Sequence, residues 1–147
     1  MSPQPPRTRS GSTFYPQSEI DFPLSSGPVR LTVDTDYPWD ELVRVVVDGS
    51  GEFDPKLRIP AWCETGASLV VNGERVAAAL TPGSSAAIGR SWRAGDIVEL
   101  RLPMPVRAVQ AHPDLFENSG RVAIFRGPVL YCAEQADNPG IDPRDAT

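Results

Sequence analysis

The chain has one histidine, two cysteines and no cluster of acidic residues. Each shortage removes a chemistry. A structural zinc site takes about four ligands, and Cys63, Cys132 and His112 are the whole supply of soft ones, at separations that fit no local knuckle. A thiol nucleophile needs a base beside it, and His112, placed before Pro113, reads as the end of a strand. Two cysteines make no disulfide framework; each lies in an apolar run and reads as an ordinary buried thiol. No metal and no cofactor is expected. The formal charge is −5, from 14 basic and 19 acidic side chains, and no basic stripe appears, which argues against a nucleic-acid partner. The apolar runs fall far short of a membrane span, so no membrane partner is expected. Arg7 and Arg9 are not followed by the apolar stretch of a secretory leader, which points to a cytoplasmic location. Helical periodicity is missing too. Arg75 to Leu80 is alanine-rich but only about one and a half turns long, too short to hold a helix by itself.

What is present is strand pattern. The chain is 147 residues long and 40% hydrophobic, with 16 prolines and 12 glycines falling between the apolar runs as turn punctuation. Val29-Arg30-Leu31-Thr32-Val33 alternates with the strand period. Leu42 to Val47 is rich in β-branched side chains. Phe53 to Ile59 reads as one strand closed by Pro60. Ser68 to Val71 runs into Asn72-Gly73, the strongest turn signal of the chain, since a type I′ hairpin needs positive φ at both central positions. Val98 to Leu102, Val106 to Ala111, Arg121 to Phe125 and Val129 to Glu134 are further runs. Asp114 to Gly120 reads as a polar loop or one helical turn. Short strands split by Gly, Pro and Asn predict an all-β fold, an antiparallel, jelly-roll-like β-sandwich. The expected organisation is a disordered tail over 1–13, the sandwich over 14–136 and a flexible tail over 137–147. Residues 14–33 are open to a second reading, as part of a sheet whose other strands lie elsewhere. Such a sheet leaves an unpaired edge, which invites a homodimer.

The candidate site residues are few. Asp36, Asp40, Glu64, Glu74, Asp96 and Glu117 mostly sit at turns, where carboxylates serve backbone and solvent; a carboxylate pair for glycoside hydrolysis would need a separation of about 5 Å or somewhat more, which sequence does not reveal. Trp39, Trp62 and Trp92, with Asp40 beside the first, are candidates for carbohydrate stacking or interdomain contact. Indoles also bury large areas and place their N–H at sheet edges, so packing is the competing reading. Arg58 and Arg126 lie in or beside apolar runs, where an arginine needs a carboxylate or carbonyl partner; Arg126 precedes Gly127-Pro128 and reads as fixing that connection.

In order along the chain stand Thr35-Asp36-Tyr37-Pro38-Trp39-Asp40, Leu57-Arg58-Ile59-Pro60-Ala61-Trp62 and Val71-Asn72-Gly73-Glu74. Arg90-Ser91-Trp92 with Gly95-Asp96, Leu102-Pro103-Met104 and Ala111-His112-Pro113 follow. The series ends with Gly120-Arg121-Val122-Ala123, Arg126-Gly127-Pro128-Val129-Leu130-Tyr131-Cys132 and Asp137-Asn138. Together, over roughly 14–140, these resemble the region after the catalytic barrel in the β-L-arabinofuranosidase family of glycoside hydrolases, once catalogued as a domain of unknown function. Two positions depart from the family pattern. Glu41 stands where glycine is usual, and Ser84-Ser85-Ala86-Ala87 stands where an aromatic is usual; both lie near turns.

The resemblance implies a fold and a role. The family's cysteine nucleophile, acid/base glutamate and zinc ligands belong to an upstream (α/α)6 barrel, and nothing in this sequence matches them. The expectation is therefore no catalytic residue, no enzyme activity, and an accessory sandwich that supports or completes a barrel absent from this chain. The alternative is a free-standing carbohydrate-binding module using exposed tryptophans. The expected partners are accordingly a separately encoded barrel or a carbohydrate.

Overall fold

The computed structural model describes residues 15–112, 114 and 122–132, and every regular element among them is a β-strand. The main sheet has six antiparallel strands. They are β1 (Ser18–Leu24), β2 (Gly27–Thr35), β3 (Leu42–Asp48), β6 (Ser68–Val71), β7 (Glu74–Arg75) and β10 (Ile97–Arg101), in the order β1-β2-β3-β10-β6-β7. Alternation decides which way they face. On β3, Val43, Val45 and Val47 are buried, while Leu42, Arg44 and Val46 between them are partly open. Val98 and Leu100 of β10 and Leu69 and Val71 of β6 continue the buried side. A slip of one residue would turn all of these to the opposite face, so the register is fixed by burial.

A second layer closes the sandwich. It is built from β4 (Gly51–Phe53) paired with β9 (Arg90–Trp92), and β5 (Lys56–Arg58) paired with β8 (Ser85–Ala87). Leu57, Ile59, Ala86, Ile88 and Trp92 from this layer join the valines and leucines of the main sheet in one core. This is the all-β antiparallel sandwich that the turn spacing predicts.

The Asn72-Gly73 hairpin forms as expected, with φ of 51° and 82°. A clasp reinforces it. Asn72 donates from Nδ2 to Asp96 Oδ1 (2.8 Å) and accepts at Oδ1 from the Ile97 N–H (2.8 Å). Asp96 also accepts the Arg93 N–H (2.9 Å). That backbone bond and then the Asn72 amide hold the Asp96 carboxyl below its ordinary range.

Two expectations change. Phe53 to Ile59 is not one strand: Asp54-Pro55 divides it into β4 and β5, which pair with different partners. Pro55 has no N–H for a ladder, and the break lets the chain move from one strand pair to the other. Residues 18–33 lie in the main sheet, with β1 at its edge. β1 and β2 form a hairpin, and β2 pairs with β3 in the main sheet. Pro23 is accommodated because β1 is an edge strand.

The last element is a separate sheet of three antiparallel strands, β11 (Val106–Gln110), β12 (Val122–Arg126) and β13 (Val129–Tyr131). The tails expected over 1–13 and 137–147, and the loop after Asp114, fall outside the described residues.

Candidate functional site

The three tryptophans occupy three environments. Trp39 sits on a tight turn that begins with a cis Tyr37–Pro38 peptide. The N–H groups of Trp39 and Asp40 both donate to the Asp36 carbonyl, at 2.8 and 3.2 Å. Thr35 Oγ1 accepts the Tyr37 N–H (3.0 Å), and Asp40 Oδ1 accepts the Leu42 N–H (3.1 Å). With the backbone held this way, the Trp39 ring projects into solvent and is 67% exposed. The Asp36 carbonyl and the Asp40 carboxylate serve the turn itself.

Trp62 is half-buried and stacks on Tyr37 (centroids 6.4 Å apart, planes at 24°), and Tyr37 in turn meets Tyr15 edge-on at 5.9 Å. Burial raises the pKa of the Tyr37 hydroxyl, and the Trp62 indole N–H beside it pulls partly back. Tyr15 donates its hydroxyl to the Arg58 carbonyl, and its burial pushes its own pKa strongly upward. These rings form a packed cluster. Trp92 lies deeper. It is 1% exposed, stacks on Phe53 at 5.6 Å, donates its indole N–H to the Phe53 carbonyl (2.9 Å) and carries Arg90 over its face at 5.2 Å. Trp92 thus offers no open face, and the three indoles form no exposed strip.

The carboxylates are dispersed into structural tasks. Glu64 pairs with Arg107 (3.6 Å), Asp96 belongs to the hairpin clasp, and Glu74 sits exposed on β7. Glu41, in the position where glycine is usual, accepts the Met104 N–H at Oε1 (2.8 Å) and lies 3.9 Å from Arg101. Glu117 lies outside the described residues. Cys63 is buried, which raises its thiol pKa, and Cys132 is exposed. His112 is exposed and approaches Asp114 at 3.5 Å. Among the described residues no three of these side chain types gather into a possible metal site.

The runs over Val106 to Ala111, Arg121 to Phe125 and Val129 to Glu134 supply β11, β12 and β13; what sequence reading missed is that they form a sheet apart from the main one. Its side chains alternate between two faces. Val106, Ile124, Arg126 and Tyr131 share one; Arg107, Phe125 and Leu130 share the other. Six of the eight most exposed large apolar side chains described belong to it: Val106, Val109, Val122, Ile124, Leu130 and Tyr131. An open groove of about 420 Å³ runs between Val106, Ile124, Arg126, Tyr131 and Cys132.

One end of this sheet is tied to the sandwich. Arg126 donates from Nη1 to the Trp39 carbonyl (3.0 Å), Arg107 reaches Glu64 and the Gly127 carbonyl (3.5 Å), and Gly127 lies against the Met104 side chain. Arg126 therefore does more than fix its own turn, because it joins the Trp39 turn to the groove. The two positions are 87 residues apart, a pairing invisible in a linear reading.

Comparison with known proteins places these parts. Residues 12–104 match the family described as β-L-arabinofuranosidase, GH127 middle domain, and residues 106–146 match the glycoside hydrolase family 127 C-terminal domain. A non-reducing end β-L-arabinofuranosidase of Bifidobacterium longum subsp. longum is 39% identical over 121 residues, covering 75% of this chain and 18% of that protein. The crystal structure of a GH127 β-L-arabinofuranosidase from Geobacillus stearothermophilus T6 is 43% identical with a TM-score of 0.75, covering 84% of this chain and 20% of its own. A further GH127 β-arabinofuranosidase structure is 32% identical with a TM-score of 0.73, covering 81% and 21%. The chain spans about a fifth of the length of these relatives.

Proposed function

Because the chain belongs to glycoside hydrolase family 127, by its middle and C-terminal domains and not its catalytic barrel, we propose that it is a non-catalytic accessory sandwich that supports or completes a catalytic barrel lying outside this sequence. The observation that carries this reading is the contrast in burial. The sandwich has a closed core, while the sheet that follows it keeps apolar side chains open on both faces. An apolar surface of that kind marks a place where another protein body belongs.

The test uses the Geobacillus stearothermophilus relative, expressed without the fifth of its length that matches this chain. Adding the present chain should raise the melting temperature of that remainder and increase its hydrolysis of a β-L-arabinofuranoside. No change in either quantity at micromolar excess would remove the accessory reading.

The second reading, carbohydrate contact, is favoured by one observation, the solvent-exposed Trp39 ring. An aromatic face there can stack on a sugar ring, and the turn carboxylates Asp36 and Asp40 flank it. Titration with arabinose-containing oligosaccharides should then change tryptophan fluorescence in the native chain and leave Trp39→Ala unchanged. Identical responses in the two proteins would sink it.

A further inference from the structure

We infer that the junction between the two family domains is a rigid strut: Pro103-Met104-Pro105, pinned to the 39–41 turn by Glu41, holds the terminal sheet in one fixed orientation on the sandwich. The inference goes beyond the accessory reading and stands apart from it, since it concerns how the two parts of this chain are joined and not what they support.

The junction falls where the two family matches meet, between residues 104 and 106. Its sequence is stiff by chemistry. Each proline fixes its own φ and holds the residue before it in extended backbone, so Leu102 and Met104 are restricted along with Pro103 and Pro105. Neither proline has an N–H. The Met104 N–H is therefore the one backbone donor in Pro103-Met104-Pro105, and the Glu41 carboxylate accepts it at Oε1 (2.8 Å). The Glu41 carbonyl accepts the Leu102 N–H (2.8 Å). One residue thus holds the strut twice, from its backbone and from its side chain. A hydrogen bond to a carboxylate is roughly twice as strong as one between neutral groups, and this one is part-buried. The ion pair of Glu41 with Arg101 is long (3.9 Å) and Arg101 is exposed, so it contributes little beside that bond.

The other side of the strut carries the terminal sheet. The Met104 side chain is buried, and Gly127, between β12 and β13, lies against its Cγ and Sδ atoms. Arg126 donates to the Trp39 carbonyl (3.0 Å), two residues from Glu41. Arg107, just past the strut, reaches Glu64 (3.6 Å) and the Gly127 carbonyl (3.5 Å). The 39–41 turn therefore grips the strut through Glu41 and the sheet through Trp39, with Met104 packed on the sheet's own turn. Flexible connections between domains are rich in glycine and serine and are crossed by few contacts. Leu102 to Val106 contains neither residue, and the bonds above cross it on both sides.

Residual dipolar couplings and amide exchange of the full chain, both by NMR, test this. The native amides of β3, β10, β11 and β12 should fit a single alignment tensor. Glu41→Ala should speed exchange of the Met104 amide by about tenfold and of the β11 and β12 amides by about threefold, with β3 and β10 within about twofold of native. Glu41→Gln keeps an oxygen that accepts the same N–H, so all of these amides should stay within about threefold of native although the charge is gone. Pro105→Gly, at an exposed position, removes stiffness without touching the core and should speed the β11 and β12 amides by about threefold. Glu41→Ala combined with Pro105→Gly should require separate tensors for sandwich and sheet. Native couplings that already need two tensors overturn the inference. So do β11 and β12 amides left at native rates by both Glu41→Ala and Pro105→Gly. Glu41→Gln as damaging as Glu41→Ala would assign the effect to the Arg101 ion pair and overturn the pin at Met104.

Discussion

The sandwich and the terminal sheet are both built from short antiparallel strands and are finished differently. On β3 every second residue is a buried valine, because the β4/β9 and β5/β8 pairs supply a layer for those valines to pack on. β11 (Val106-Arg107-Ala108-Val109-Gln110) and β12 (Val122-Ala123-Ile124-Phe125-Arg126) put apolar side chains on both faces, and Val106 is 69% exposed and Ile124 is open as well. The difference lies in what stands opposite each strand. A period of two states which side chains share a face; whether that face is core depends on a second layer. The sandwich brings its own, and the terminal sheet has none among the described residues.

The largest effect that would test this contrast is at Trp92. Its ring fills the core, stacks on Phe53 and ties its N–H to the Phe53 carbonyl. Trp92→Ala should lower stability by about 4 kcal/mol, the scale of emptying a large aromatic site. Urea unfolding followed by circular dichroism measures it. A loss below about 1 kcal/mol would mean that the second layer is loosely held and that the two regions differ less than their burial indicates.

Asn72→Ala comes next. The backbone there is left-handed (φ 51°) and alanine lacks the amide that meets Asp96 and Ile97. Left-handed strain of about 1–2 kcal/mol and lost hydrogen bonds of about 1 kcal/mol together predict about 2–3 kcal/mol. Asn72→Gly relieves the strain and should recover part of that loss, which separates backbone strain from the clasp.

Much of the sandwich was legible from residue order. The Asn-Gly turn requires positive φ, and the β3 and β10 alternations require a buried face, so local chemistry alone specified them. β1 was legible in principle, since Ile20, Phe22 and Leu24 alternate; Pro23 obscured it, although an edge strand tolerates proline. The split at Asp54-Pro55 was hidden because apolar spacing continues across it. The candidate site was read less well. Trp39, Trp62 and Trp92 look alike in sequence, each beside a turn or strand end. Only long-range packing separates the open ring from the half-buried and the buried one. The Arg126–Trp39 link has no local signature at all.

Gly127→Ala probes the seam between the two regions. A Cβ at this position would come within 2.8 Å of the Met104 side chain, at a φ of +55°. Methionine can yield, so the expected loss is about 1–2 kcal/mol, mostly from the backbone conformation. Amide exchange should show faster opening of the terminal sheet and little change in β3 and β10. Uniformly faster exchange through the core would show that the sheet and the sandwich unfold as one unit.

Acid should act on the sandwich first. The Arg93 N–H and the Asn72 amide depress the folded-state pKa of Asp96. The carboxylate therefore stabilises the fold fully above its ordinary unfolded value, about 3.9, and that contribution fades as pH falls through the lowered folded value. The group is solvent-exposed, so the effect is small. The native chain should lose melting temperature in that acid window, and Asp96→Asn should lose less. Equal acid sensitivity in the two proteins would place the effect on other carboxylates.

The smallest effect is the most discriminating. Leu130 is 57% exposed on the face of the terminal sheet opposite the groove. A leucine in a packed core loses about 2–5 kcal/mol on truncation. Here the side chain has no second layer to leave, so Leu130→Ser should change stability by less than about 0.5 kcal/mol. Urea unfolding of the isolated chain gives the number directly. A loss above about 2 kcal/mol would show that this face is covered by the chain itself, and the distinction between a closed sandwich and an open sheet would fail on that side. A value near zero, beside a large loss at Trp92, would locate the stability of the chain in the sandwich and leave the terminal sheet as surface held ready by Gly127, Arg107 and Arg126.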